Sequence, residues 1–312
     1  MSPKRVLWIA GIAAVLYTAF AYWVLTNFEV PPLRGIALLL VVLAAVSQIG
    51  AMWFFGLLFR ESIQETGSDV APWHAFKAAL VGAGVARLIP AGGAITPVAL
   101  SWTVRDDVKD STAGPGIRTV LLNYAGLLIA AGLGVIIQRP RQTIEVLSTS
   151  LLVIAPVVLG VGALLMFGSG RLGSVSKYLP RFVRDKIDTS MVNHAPKWES
   201  QIYIWARIVL ETGALWLVMT AFNINLNGVE ALAVYAVSQL IGGLPGTPGG
   251  LGVAEFGIGL VLAAYGFPAS STVAPILVYR IVSYWLPAGL SLLAGGSTFL
   301  RSEEARAASD TG

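Results

Sequence analysis

Cysteine is absent from the 312 residues, which removes disulfides, thiolate metal ligands and cysteine nucleophiles together and leaves the redox compartment unspecified. Histidine is nearly absent: His74 and His194 stand far apart in sequence, and no metal-binding cluster is visible around either. Charge is scarce as well. Asp, Glu, Lys and Arg make up 12% of the chain and hydrophobic residues 55%, against about 25% and roughly 45 to 50% in an ordinary soluble domain. A soluble globule is excluded. Missing too are a Ser-His-Asp spacing, a phosphate loop, an HExxH helix and a DxD pair, so the chain is expected to be no enzyme and to carry no metal or cofactor.

What the sequence does have is long stretches free of charge. Residues 6–28, 35–59, 119–138, 146–170, 212–229, 231–254, 256–279 and 281–300 contain no Asp, Glu, Lys or Arg. Each is close to or above the roughly 18 to 20 apolar residues that cross a bilayer as a helix. Continuous runs of this kind contradict a barrel, whose strands alternate over about ten residues. The expectation is an all-α polytopic membrane protein forming a single membrane domain over 1–312. The N-terminal run after Lys4 and Arg5 is longer than the apolar core of a signal peptide, roughly 7 to 15 residues, and is taken as an uncleaved first span, 6–26.

Further spans are expected at 36–59, 118–138, 143–167, 201–223 and 272–299. Two apolar stretches, 73–103 and 229–266, behave differently. Ile89-Pro90-Ala91-Gly92-Gly93 interrupts the first, and the run from Gly242 through Pro245 and Pro248 to Gly249-Gly250 interrupts the second. Proline removes a donor and clashes with the preceding turn, so neither stretch continues as one straight helix. At about 1.5 Å per residue each arm of the first reaches only roughly 20 to 24 Å, short of a membrane about 30 Å thick. Two half-depth arms, a re-entrant hairpin, fit better.

The placement of basic residues tests this independently. With both stretches as hairpins and the N-terminus inside, the basic loop 168–200, the tail 300–312 and most other Lys and Arg fall on the cytoplasmic side, leaving Arg34, Arg139 and Arg141 outside. A single crossing at 73–103 would put the basic loop outside, against the positive-inside rule. Six spans and two hairpins then divide into repeats of opposite orientation, 1–138 and 143–299. Paired Gly/Pro-interrupted segments in corresponding slots of such halves are the best sequence pointer to a transporter site near the midplane. Past each break a helix begins whose free N–H groups and positive dipole end suit a phosphate or carboxylate. Tight hairpins that merely pack are the alternative.

Five ionisable residues lie inside apolar stretches, where each costs at least about 2.5 to 3.5 kcal/mol on insertion scales. Arg207 and Glu211 are spaced for a pair on one helix and read as structural. Arg280 is too deep to reach the interface and needs an anion. Glu255, in the first turn after Pro248-Gly249-Gly250, is the nearest candidate. Either the two form a bridge locking hairpin to span, or Arg280 is shared with a lipid phosphate that its planar fork suits equally. Arg87, just before Pro90, is either the counterpart anion contact in the first hairpin or a side chain that snorkels to the cytoplasmic face. Gln48, Asn123, Gln239 and Glu230 read as hydrogen-bonding glue between helices. The excess of basic residues, net +4, is accounted for by orientation, with the loop also able to attract anionic lipid heads. Nucleic acid is not an expected partner.

The string Pro248-Gly249-Gly250-Leu251-Gly252-Val253-Ala254-Glu255, followed by Val278-Tyr279-Arg280 and Tyr284-Trp285-Leu286-Pro287, resembles the lysylphosphatidylglycerol synthase transmembrane family. This is the flippase-like membrane region of the multiple peptide resistance factor and its stand-alone relatives. The resemblance implies a cavity between two re-entrant hairpins and movement of a phospholipid or related lipid-phosphate between leaflets of a bacterial plasma membrane. It brings forward Pro248, Gly249, Gly250, Glu255 and Arg280 as matched positions, with Tyr279 and Tyr284 in the strings that carry it, while the pseudosymmetry of the two hairpins adds Arg87, Gly92 and Gly93 as first-hairpin counterparts for the phosphate. Relatives often carry a charged residue after the first proline-glycine turn, whereas 91–100 is uncharged here, which leaves the headgroup open. No soluble aminoacyltransferase domain is present in the sequence, so the synthase activity in the family's name is not transferred. The expected partners are membrane lipids. The alternatives are a lipid-binding membrane partner of a cell-envelope enzyme that transports nothing and, further off, a small-solute or ion transporter.

Overall fold

The computed structural model describes residues 34–88, 92–105, 107–108, 113–140, 145–167, 196–243 and 250–295, with positions 15, 18, 22 and 26. Apart from those four positions, the expected span 6–26 lies outside the described residues. So do the basic loop except its last five residues, the tail 300–312, and the breaker residues Pro90, Pro245, Pro248 and Gly249.

The described residues form nine helices and no strand: α1 Ile36–Gln64, α2 Pro72–Leu88, α3 Gly92–Thr103, α4 Gly114–Ile137, α5 Glu145–Phe167, α6 Trp198–Ala221, α7 Gly228–Gly242, α8 Val253–Ala264 and α9 Ala269–Arg280. α9 runs on through a π-helical turn, Ile281–Trp285, as one apolar helix to Gly295. Five are long and apolar enough to cross a membrane: α1, α4, α5 from Leu147, α6 and the extended α9. They coincide with five of the six spans expected from charge-free windows. α2, α3, α7 and α8, of 17, 12, 15 and 12 residues, are too short, since even 17 residues at about 1.5 Å each give only about 25 Å.

The short helices pair as antiparallel hairpins. Thr96 Oγ1 of α3 donates to the Gly82 carbonyl of α2 at 3.5 Å, and Leu100 lies against the same glycine. In the second pair Gly257 lies against Ile241 and Gly242 against Ala254. The two hairpins enter from opposite ends of the bundle. One end is formed by the α1–α2 loop and the start of α6, where Ser200 Oγ donates to Glu61 at 2.7 Å. At the other end the indole N–H of Trp216 donates to the Leu226 carbonyl at 2.8 Å and Tyr265 to that of Gln138 at 2.8 Å. α7 starts there with a reciprocal cap: Asn227 Oδ1 accepts from the N–H groups of Val229 and Glu230 while Glu230 accepts from that of Asn227, satisfying donors the first helical turn leaves open.

One packing pattern occurs twice. α1 packs on α2 and α4 as α6 packs on α7 and α9, and α3 lies on α4 as α8 lies on α9. α4 also lies on α7, close enough that a Cβ on Gly134 would stand 3.0 Å from the backbone of Ala233. Correspondingly, the far part of the last helix meets α2 at Ser291 and Gly84. Small residues let helices approach where the surrounding lipid supplies no hydrophobic drive. α1 and α6 form the most extensive helix pair, joined by Ser47 Oγ donating to the Leu210 carbonyl at 2.8 Å.

Candidate functional site

The two hairpin ends face one cavity of about 540 Å³, lined by Arg87, Gly93, Gly243, Gly250, Arg207 and Arg280 among others. Backbone at the second hairpin can be there only as glycine. Gly250 has φ of +67°, and a Cβ on it would stand 2.5 Å from the carbonyl oxygen of Gly242, so the left-handed conformation and the close approach both exclude a side chain.

Arg280 is 6% exposed and its Nε donates to Glu255 Oε1 at 2.8 Å, the bridge expected from sequence. The guanidinium also lies over the Tyr284 ring, 4.8 Å from its centre. Glu255 uses its second oxygen locally, accepting from the Gly252 N–H at 2.8 Å. The first turn of α8 is therefore already served by a carboxylate of its own. α3, which starts at Gly92, has no acidic residue in its first turn. The two helix starts are chemically unlike, as Glu255 in one first turn and the uncharged 91–100 in the other imply.

Arg87 does not run to the end of the bundle. Its Nε and Nη2 donate to the Ser283 carbonyl at 3.2 and 2.9 Å, and Nη1 to Ala83 O at 3.1 Å. Ser283 sits in the π-helical turn, a wide turn that recurs at functional sites. Tyr284 returns the contact, its hydroxyl donating to Arg87 O at 2.7 Å. Glu255, Arg280, Tyr284 and Arg87 thus form an unbroken chain from one hairpin to the other across the last span.

Arg207 and Glu211 pair along α6 at 3.2 Å, and more is built on them than a local pair. Arg207 donates to Asn123 Oδ1 and lies over the Phe55 ring, 4.3 Å from its centre. Glu211, 2% exposed, accepts from Gln48 Nε2 at 3.3 Å and from the Tyr235 hydroxyl. α1, α4, α6 and α7 are thereby joined on the cavity wall. Gln48 and Asn123 act between helices as expected. Tyr235 was not legible as part of the site, since one tyrosine among apolar residues of α7 gives no sign of facing a carboxylate. Tyr279 is buried with no hydrogen-bond partner for its hydroxyl among the described residues.

Three arginines against Glu211 and Glu255 leave this set with one net positive charge. Arginine forks present planar pairs of donors that match carboxylate and phosphate oxygens. No group of three or more His, Asp or Glu suited to a metal occurs among the described residues.

Five membrane-length helices with two pairs of short helices that face an arginine-lined cavity define a multi-pass helical membrane protein. The chain belongs to the family of the lysylphosphatidylglycerol synthase TM region, whose model matches residues 6–291. It is similar to a UPF0104 membrane protein of Methanothermobacter thermautotrophicus, 33% identical over 92 residues, which are 29% of this chain and 26% of that protein. A UPF0104 membrane protein of Methanocaldococcus jannaschii is 32% identical over 100 residues, 31% of this chain and 30% of the relative. The matched stretch thus spans less than a third of each relative.

Proposed function

We propose that the protein is a non-enzymatic lipid translocase that passes a phospholipid or lipid-linked phosphate between leaflets, its headgroup held in the cavity between two re-entrant hairpins. The observation that carries this reading is that Arg87, Arg207 and Arg280 all line one cavity with two carboxylates, Glu211 and Glu255, to balance them. A volume of about 540 Å³ falls within the roughly 300 to 1,000 Å³ of small-ligand sites. It takes a headgroup while acyl chains stay in hydrocarbon. Arg280 and Arg87, with Gly92 and Gly93 at the start of α3, whose first turn has no acidic residue, hold the phosphate. Gly250 lets the second hairpin's backbone come close to it.

The topology that goes with this function is six spans and two hairpins as inverted repeats, 1–138 and 143–299, in the plasma membrane with both termini cytoplasmic. Irregular backbone inside a membrane persists where protein buries it or water reaches it, and the opposed entry of the hairpins and the twice-occurring packing pattern support that arrangement. Rocking of the halves about the fixed site then opens it to each leaflet in turn.

The test is purified protein in liposomes carrying labelled anionic, zwitterionic and polyprenyl-phosphate lipids, scored for leaflet exchange against Arg280→Ala and Arg280→Lys, each checked for folding. Exchange that folded Arg280→Ala loses and Arg280→Lys partly keeps supports a translocase and names the lipid class. Binding without exchange for every lipid overturns it in favour of a non-transporting partner of a cell-envelope enzyme.

A further inference from the structure

The carboxylates at the cavity, and two of its aromatic rings, would be the receptors for an ammonium group, and arginines already hold them. Glu211 is the one acid among the described lining residues. Its Oε1 accepts from Gln48 and Arg207 at 3.3 and 3.2 Å, and its Oε2 accepts from the Tyr235 hydroxyl. Glu255 is taken by Arg280 and by the Gly252 N–H. The links from α2 to α3 and from α7 to α8, 89–91 and 243–252, contain no Asp or Glu. Ring faces are the other receptor for a cation. Here Arg207 lies over Phe55 and Arg280 over Tyr284, their guanidinium carbons 4.3 and 4.8 Å from the ring centres.

Gln239 and Tyr124 are placed differently. Gln239, expected from sequence to join helices, lines the cavity instead, and its amide makes no hydrogen bond to another described residue. Tyr124 of α4 lines the same cavity. Its hydroxyl lies against Gly243, just past the end of α7, 2.9 Å from where a Cβ on that glycine would stand. A primary amide and a phenol hydroxyl each both donate and accept. An alcohol hydroxyl does the same and finds partners here in either role, whereas an ammonium group has only donors.

Resting on the reading of this cavity as a lipid-headgroup site, we propose that it selects a phosphodiester of a neutral, hydroxyl-bearing alcohol and rejects headgroups that carry an ammonium group. The arginine forks meet the phosphate oxygens, and Gln239 and Tyr124 meet the hydroxyls of the alcohol. An ammonium brought to the same place faces three guanidinium groups of its own sign. Pairing it with Glu211 or Glu255 strips Arg207 or Arg280 of a buried counter-ion, which is costly. Discrimination of this kind comes from the repulsive element as much as from the attractive one. Glycerol and sugar alcohols belong to the accepted class, ethanolamine and aminoacyl esters to the rejected one.

The test is displacement of acyl-labelled phosphatidylglycerol from the purified chain in micelles by unlabelled phosphatidylglycerol, phosphatidylethanol and phosphatidylethanolamine with the same acyl chains. Phosphatidylethanol keeps the phosphodiester charge and lacks the hydroxyls, while phosphatidylethanolamine adds the ammonium. Phosphatidylglycerol should bind best and phosphatidylethanolamine about tenfold or more weaker. Gln239→Leu and Tyr124→Phe should each weaken phosphatidylglycerol relative to phosphatidylethanol by roughly threefold to tenfold, the worth of one hydrogen bond. A general loss of folding would weaken both lipids alike. Equal displacement by phosphatidylethanolamine overturns the proposal, as do failure of the labelled lipid to bind and an unchanged ratio of the two anionic lipids in both variants. Selective binding without leaflet exchange keeps it and sinks the translocase reading, whereas exchange without headgroup preference does the reverse.

Discussion

Removing both partners of the Glu255–Arg280 bridge should cost well below the sum of removing each alone. The side chains are 11% and 7% exposed and meet at 2.8 Å. In Glu255→Gln the amide oxygen still accepts from the Gly252 N–H, so the turn before α8 survives, but Arg280 loses its carboxylate while still buried. Breaking a buried pair in this way costs about 3 to 5 kcal/mol, and a value of about 3 corresponds to roughly a hundredfold in the folding equilibrium. Arg280→Met should cost a similar amount, because Glu255 then keeps only the Gly252 contact. The double variant leaves no uncompensated charge and should lose about 2 to 3 kcal/mol less than the two singles together. Reversible unfolding in mixed micelles at rising denaturing-detergent fraction, read by tryptophan fluorescence, measures all four corners of the cycle. Additivity to within about 0.5 kcal/mol would show that the two residues are not coupled, and the reasoning would fail with it.

Gly116→Ala should destabilise the contact between α3 and α4 by about 1 to 3 kcal/mol, because the new Cβ would stand 2.2 Å from the backbone oxygen of Pro97, which cannot rotate away. A melting temperature equal to the wild type would contradict it. Asp69 is held below its ordinary pKa of 3.8, chiefly by the hydrogen bond from Arg60. Its stabilisation is therefore complete above that value and lost as pH falls through the depressed native one. Asp69→Asn should accordingly melt below the wild type at neutral pH and converge with it in strong acid, as a pH series of melting curves would record.

Spans were legible because the signal for a membrane helix is additive: twenty uncharged residues announce themselves whatever they touch. The splitting of 73–103 and 229–266 into short helices was legible for the converse reason, since Gly and Pro within them forbid a straight helix locally. The Glu255–Arg280 bridge could be read because a buried arginine needs an anion and few were available. What sequence withheld was placement around a helix. Arg118 sits at a helix start, where a cation normally reaches water, and its inward turn depends on Glu61 and Glu65 at the end of another helix. Tyr235 and the Ser283 carbonyl were hidden for the same reason: one is an ordinary residue of an apolar helix, the other a backbone group that a π-helical turn presents to Arg87. The inequality of the two helix starts could be read from Glu255 and the uncharged 91–100, whereas the folding of Glu255 back on the Gly252 N–H could not.

The last span touches both hairpins within four residues, Arg280 holding one and Tyr284 with its neighbour Ser283 holding the other. Along a helix that is about 6 Å. The two hairpins are therefore geared to a single shaft. A rotation of the last helix that draws Arg280 away from Glu255 turns Tyr284 and the Ser283 carbonyl at the same time, so neither hairpin can release its grip without the other registering it. Under the translocase reading proposed above, gating at the two sides of the cavity is coupled through this one helix.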